Sequence, residues 1–163
     1  MTLDATLRPY QRDGFRWLAR LASWAPGACL ADDMGLGKTI QVIALHLHRQ
    51  EGEDPATSGP TLVVCPASLL GNWEAEVRRF APGVPVRRFH GGRRTLEGLD
   101  VLGDPGFVLT TYGTMRNDAE LLAGVPWGLV VADEAQHVKN AASATAKALR
   151  EIPSHARVAL TGT

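Results

Sequence analysis

The segment Cys29-Leu30-Ala31-Asp32-Asp33-Met34-Gly35-Leu36-Gly37-Lys38-Thr39-Ile40 constrains the fold of this chain more than any other. A short apolar run enters a glycine loop, and Lys-Thr then opens an apolar pattern of helical period. The order is strand, phosphate loop, helix. Gly35 and Gly37 let the backbone turn tightly and bring its N–H groups close to a phosphate. A helix opening at Lys38 adds free N–H groups and the positive end of its dipole. Lys38 supplies a mobile cation for the β- and γ-phosphates of a nucleotide, and Thr39 a hydroxyl for Mg²⁺. The usual pattern is G-x-x-x-x-G-K-[ST], and its first glycine slot here holds Asp32. A Gly-Lys-Thr triplet alone arises by chance, so the loop takes its meaning from the strand before it and the helix after it.

A chain of 163 residues suits one domain with a real core. Its 17 basic and 17 acidic residues balance. No global field draws it onto nucleic acid or membrane, so any DNA contact must be local. Cys29 and Cys65 lie in apolar runs and read as buried, reduced core residues. His46 and His48 stand on a helix at a spacing that shares no face, which argues against a metal site there. No stretch is long enough to span a membrane, and the N-terminus lacks a signal-peptide pattern. The chain is expected to be cytoplasmic, and nucleoid-associated if bacterial.

Short apolar runs alternate with helical patterns. Helices are expected over 7–24, with Pro9 in the first turn, and over 38–50, 68–80 and 141–150, with another running to about Ala123. Strands are expected over 28–31, 61–65, 84–89, 107–110, 129–132 and 157–160. Residues 51–60 form a loop by composition. This alternation predicts an α/β fold around a mainly parallel sheet. The continuous apolar run 129–132 fits a strand buried on both faces.

Polar, chemically capable residues follow the strand runs: Asp32 to Thr39, Pro66 to Ser68, Thr111-Tyr112, Asp133-Glu134 and Thr161-Gly162-Thr163. In a parallel sheet these lie along the carboxyl edge, where ligands bind. Asp133-Glu134 then completes an ATPase site. Asp133 would hold Mg²⁺, directly or through its waters. Glu134 would position the attacking water and accept its proton. An acidic pair is also common at a helix start, where the dipole favours it; the phosphate loop upstream decides for the catalytic reading.

Six segments, in order, carry a family resemblance. They are Leu7-Arg8-Pro9-Tyr10-Gln11-Arg12-Asp13-Gly14, Asp32 to Gln41, Val64-Cys65-Pro66-Ala67-Ser68-Leu69-Leu70-Gly71-Asn72-Trp73 with Glu76, Leu109-Thr110-Thr111-Tyr112, Asp133-Glu134-Ala135-Gln136-His137-Val138-Lys139-Asn140, and Leu160-Thr161-Gly162-Thr163. Together they resemble the first RecA-like lobe of a Swi/Snf-family DNA-dependent ATPase, in helicase superfamily two. Asp32 in the first glycine slot is typical of that family.

The resemblance implies a three-layer RecA-like P-loop NTPase lobe over 1–163, with 1–24 as its adenine-recognising helical region. It implies ATP and Mg²⁺ as cofactors and double-stranded DNA as partner, within a protein complex. Gln11 would recognise adenine through its side-chain amide. Asp32, Met34, Gly35, Leu36, Gly37, Lys38, Thr39 and Ile40 would surround the phosphates. Ser68, Asn72 and Thr111 would touch the DNA backbone, positioning a duplex without reading its sequence. Gln136 would sense the nucleotide across the lobe interface, and Thr161, Gly162 and Thr163 would couple phosphate state to movement. Trp73 reads as core. The pairs Arg78-Arg79, Arg87-Arg88 and Arg93-Arg94 fit phosphate contacts or a solvated face equally well.

The sequence stops at Thr163, inside the family's Thr-Gly-Thr-Pro motif. The second RecA-like lobe, with its transition-state arginine, is therefore expected to be absent, leaving weak ATP–Mg binding and poor hydrolysis. The expected function is the ATP-binding lobe of a double-stranded DNA translocase. An RNA-dependent helicase lobe and a non-catalytic ATP-binding module are the alternatives.

Overall fold

Every residue of Thr61–Cys65 is buried, and so is every residue of Phe107–Thr111 and Trp127–Ala132. A strand buried along its whole length has cover on both faces, and a parallel sheet with crossover helices provides it. The computed structural model describes residues 28–31, 37–52, 58–92, 94–97, 106–135, 138 and 143–161. Their strands are β1 (Ala28–Ala31), β2 (Thr61–Cys65), β3 (Val86–Arg88), β4 (Phe107–Thr111), β5 (Trp127–Ala132) and β6 (Ser154–Thr161). They form one six-stranded sheet in the order β1-β6-β5-β2-β4-β3, with each neighbouring pair parallel.

The helices are α1 (Lys38–Gln50), α2 (Leu70–Phe80), α3 (Tyr112–Asn117), α4 (Ala119–Ala123) and α5 (Ala144–Glu151). Alternate strand residues serve two cores, as the pleat requires. Val63, Cys65, Leu109 and Val131 join Val42, Ile43 and Leu45 of α1 and Trp73 and Val77 of α2. Leu62, Val64, Val108 and Val130 join Met115, Leu122 and Ala148 from α3, α4 and α5, and Ile152 just after α5. The result is the expected three layers.

Element bounds differ from the sequence expectation for local reasons. The expected strand 84–89 pairs only over Val86–Arg88; Pro85 has no N–H to donate, and Gly91 turns the chain at φ +89°. The helix expected to run to Ala123 is two, broken at Asp118, whose φ of −115° and ψ of 27° interrupt the ladder. Its carboxylate takes the Arg94 guanidinium instead. Helix α5 begins at Ala144 because the Ser143 hydroxyl accepts the Ala146 N–H at 3.1 Å. Residue 68 lies in a single 3₁₀ turn, Ala67–Leu69, ahead of α2. His46 is a core residue: its ring meets the Thr61 hydroxyl at 2.7 Å and leans on Phe107 at 4.2 Å between centroids. The expected helix over 7–24 lies outside the described residues.

Gly59 sets the approach of β2 to β5. A Cβ there would stand 2.5 Å from the Pro126 carbonyl oxygen and 3.1 Å from the Gly128 nitrogen, both backbone atoms. Gly59→Ala is expected to destabilise the chain by about 1–3 kcal/mol. Urea unfolding measures it.

Candidate functional site

The carboxyl edge of the sheet divides into two halves. The ends of β1 and β6 stand on one side, and the exits of β2 and β4 on the other. Strand β5 lies between them and delivers Asp133. Of the residues expected from sequence, Lys38, Thr39 and Ile40 at the start of α1 are described, and Ser68, Asn72 and Thr111 lie at the exits of β2 and β4.

Lys38 is buried at the start of α1, while Thr39 and Ile40 are half-buried. Gly37 precedes them as the N-cap, with no side-chain hydrogen bond and no acidic residue in the first turn. A helix start that brings no capping side chain of its own leaves donors for an anionic ligand. Gln11, Asp32, Met34, Gly35, Leu36, Gln136, Gly162 and Thr163 lie outside the described residues. Thr161 is the last residue of β6, paired with Ala31.

Among the described residues of the site, Asp133 is held on every side. It is only 7% exposed. Its N–H donates to the Val64 carbonyl at 2.8 Å. Its own carbonyl accepts the Tyr112 hydroxyl at 2.7 Å. On the carboxylate, Oδ1 accepts the Glu134 N–H at 2.8 Å and Oδ2 accepts the Trp73 indole N–H at 2.8 Å. Burial pushes the carboxyl above its ordinary range. The hydrogen bonds from Trp73 and Glu134 oppose this; the Glu134 charge adds to it, and the Lys38 charge opposes it. Lys38 and Asp133 therefore share one field at the sheet edge.

Glu134 is half-buried and has φ +53°, the left-handed region. A non-glycine residue held there costs on the order of 1 kcal/mol, and such strain gathers at functional sites. Cys65, the residue after Val64 in β2, stays a thiol: burial, then the Asp133 charge, pushes it up to about 12. Tyr112 is likewise raised, by burial and then by the charges of Asp133, Cys65 and Glu134, so it stays a donor.

On the other half, Ser68 and Asn72 are exposed. Thr111 is buried and caps α3: its hydroxyl accepts the Thr114 N–H at 3.2 Å and donates to the Thr114 hydroxyl at 3.1 Å. His90, which sequence reasoning gave no role, joins this group through Nδ1, 3.1 Å from the Thr114 hydroxyl. The arginine pairs do not act as pairs. Arg78 and Arg88 both hold Glu74, at 3.3 and 2.8 Å. Arg87 donates to the Thr95 and Glu97 carbonyls. Arg79 lies over the Phe80 ring, and Arg93 is outside the described residues.

Trp73 was legible as core but not as a partner of Asp133. The signal was present: a buried indole N–H must find an acceptor. Trp73→Ala removes a fully buried ring and leaves Oδ2 short of a partner. It is expected to cost about 3–5 kcal/mol in chemical denaturation.

A profile of the SNF2-related domain matches residues 10–163. This chain belongs to the SNF2-related family. The SWI2/SNF2 ATPase core of Sulfolobus solfataricus, solved in complex with dsDNA, superposes with a TM-score of 0.85 at 43% identity, over 99% of this chain and 33% of that one. The TATA-binding protein-associated factor MOT1 of Saccharomyces cerevisiae is 38% identical, over 100% of this chain and 9% of its own length. Chromodomain-helicase-DNA-binding protein 1-like of Mus musculus is 39% identical, over 96% of this chain and 18% of its own length. This SNF2-related chain thus spans a small part of the relatives it matches. Its fold is the RecA-like fold of the SWI2/SNF2 ATPase core.

Proposed function

We propose that this chain is the ATP-binding lobe of a translocase acting on double-stranded DNA. The observation that carries the reading is the setting of Asp133. A buried carboxylate, fixed at both oxygens, shares its field with a buried lysine at a helix start that has no capping side chain. Mg²⁺ takes hard oxygen ligands and retains waters. The Asp133 carboxylate and the Thr39 hydroxyl are donors of that kind, so the residues fit the ion. When bound, Mg²⁺ neutralises charge developing on the phosphoryl oxygens.

The chain's own residues supply the rest. Lys38 and the first-turn N–H groups of α1 hold phosphate, with Asp32, Met34, Gly35, Leu36 and Gly37 around it and Gln11 on the adenine. Glu134 orients the attacking water and accepts its proton. Ser68, Asn72 and the Thr111 group meet the DNA backbone through neutral donors. Gln136, Thr161, Gly162 and Thr163 relay the state of the γ-phosphate. These 163 residues match a third of the Sulfolobus core, so alone they bind ATP–Mg weakly and turn it over slowly. An arginine supplied by a second lobe would add about a thousandfold or more.

The polynucleotide requirement tests the substrate. In a two-lobe protein carrying this lobe, duplex DNA is expected to stimulate ATP hydrolysis and RNA is not. Stimulation by RNA in preference to DNA overturns the assignment.

A further inference from the structure

Asp133 is gripped by two aromatic side chains that reach it from different strand exits. Trp73 comes from α2, after β2, and its indole N–H meets Oδ2 at 2.8 Å. Tyr112 opens α3, after β4, and its hydroxyl meets the Asp133 carbonyl at 2.7 Å. Each aromatic directly follows a residue assigned above to the DNA backbone: Asn72 precedes Trp73, and Thr111 precedes Tyr112.

We propose that Trp73 and Tyr112 are positioning residues that carry DNA engagement at Asn72 and Thr111 to the metal-side carboxylate of Asp133. The inference rests on the site reading given under the proposed function. An indole has one N–H and no acceptor, so it fixes Oδ2 along one direction. The Glu134 N–H fixes Oδ1, and the carboxylate has no free rotation left. The Trp73 ring is fully buried between α2 and the sheet. It cannot shift unless its helix shifts with it, and any displacement of α2 is delivered to Oδ2. Tyr112 does the same for the main chain of Asp133. A residue whose partner is a metal ligand acts through the orientation of that ligand. Two such struts, from the exits of β2 and β4, tie the half of the sheet edge assigned to DNA to a single aspartate.

The test uses the 163-residue chain, the β,γ-imido analogue of ATP and a short mixed-sequence DNA duplex. Calorimetry gives analogue affinity with and without Mg²⁺, and with and without duplex. Saturating duplex is expected to change the Mg²⁺-dependent affinity of the unaltered chain by about fivefold or more. Trp73→Phe and Tyr112→Phe keep the rings and remove the donors. Each is expected to bring that ratio close to one and to weaken Mg²⁺-dependent binding by about tenfold. Affinity without Mg²⁺, and duplex affinity without nucleotide, should not move, which purely structural residues would not achieve. Tyr112→Phe is nearly isosteric at a half-buried ring and stands alone if Trp73→Phe fails to fold. An unchanged ratio in the variants overturns the proposal, and so does an unaltered chain whose analogue affinity ignores DNA. A chain that binds no analogue in any condition overturns the reading of the site itself.

Discussion

Glu134→Gln is expected to lower ATP turnover by about a hundredfold to ten-thousandfold in a two-lobe protein carrying this lobe, with Mg·ATP binding retained. The amide keeps the shape of the side chain and loses the ability to take a proton. The position supports the role. Glu134 follows the most tightly held carboxylate of the site, and its backbone sits at φ +53°, which a stability-driven sequence would give to glycine or asparagine. Its N–H is engaged with Asp133 Oδ1, so the backbone strain and the orientation of the Asp133 carboxylate are one local structure. Single-turnover hydrolysis alongside equilibrium nucleotide binding separates the two effects. Turnover equal to the unaltered protein would remove Glu134 from the chemistry.

The fold was legible because its signals were redundant. The runs 61–65 and 28–31 coincide with β2 and β1 as observed; in β2 every position is buried, so no exposed position blurs its ends. The helix at Lys38–Gln50 also matches; glycine before it and a loop after it mark both limits. Boundaries failed where the deciding atom was a single backbone or side-chain group. Pro85 shortened β3, Asp118 divided a helix, and Ser143 moved a helix start. None of these is visible to periodicity. The site was legible as residue types at strand exits, because a parallel sheet brings strand exits together. Contacts between those exits were not. Trp73 and Asp133 are sixty positions apart, and only the parallel register of β2 with β5 brings their elements together. The arginine pairs show the same limit: adjacency in sequence gave no hint that Arg78 and Arg88 would share Glu74.

The central claim is that Lys38 and Asp133 form one side of a Mg·ATP site, and Lys38→Ala tests it most directly. Lys38 is 5% exposed, although a lysine gains nothing from burial unless a charged partner or ligand receives it. Its charge pulls against the burial that raises Asp133. Loss of a charge-assisted contact to phosphate is expected to weaken binding by about a hundredfold. Alanine at that position keeps the helix start intact, since it has the highest helix propensity. Calorimetric titration of ATP with Mg²⁺ into this chain and into Lys38→Ala, with circular dichroism confirming equal folding, gives the answer. Saturable binding by the unaltered chain and its near disappearance in the variant are expected; equal affinity in both would contradict a phosphate site at Lys38.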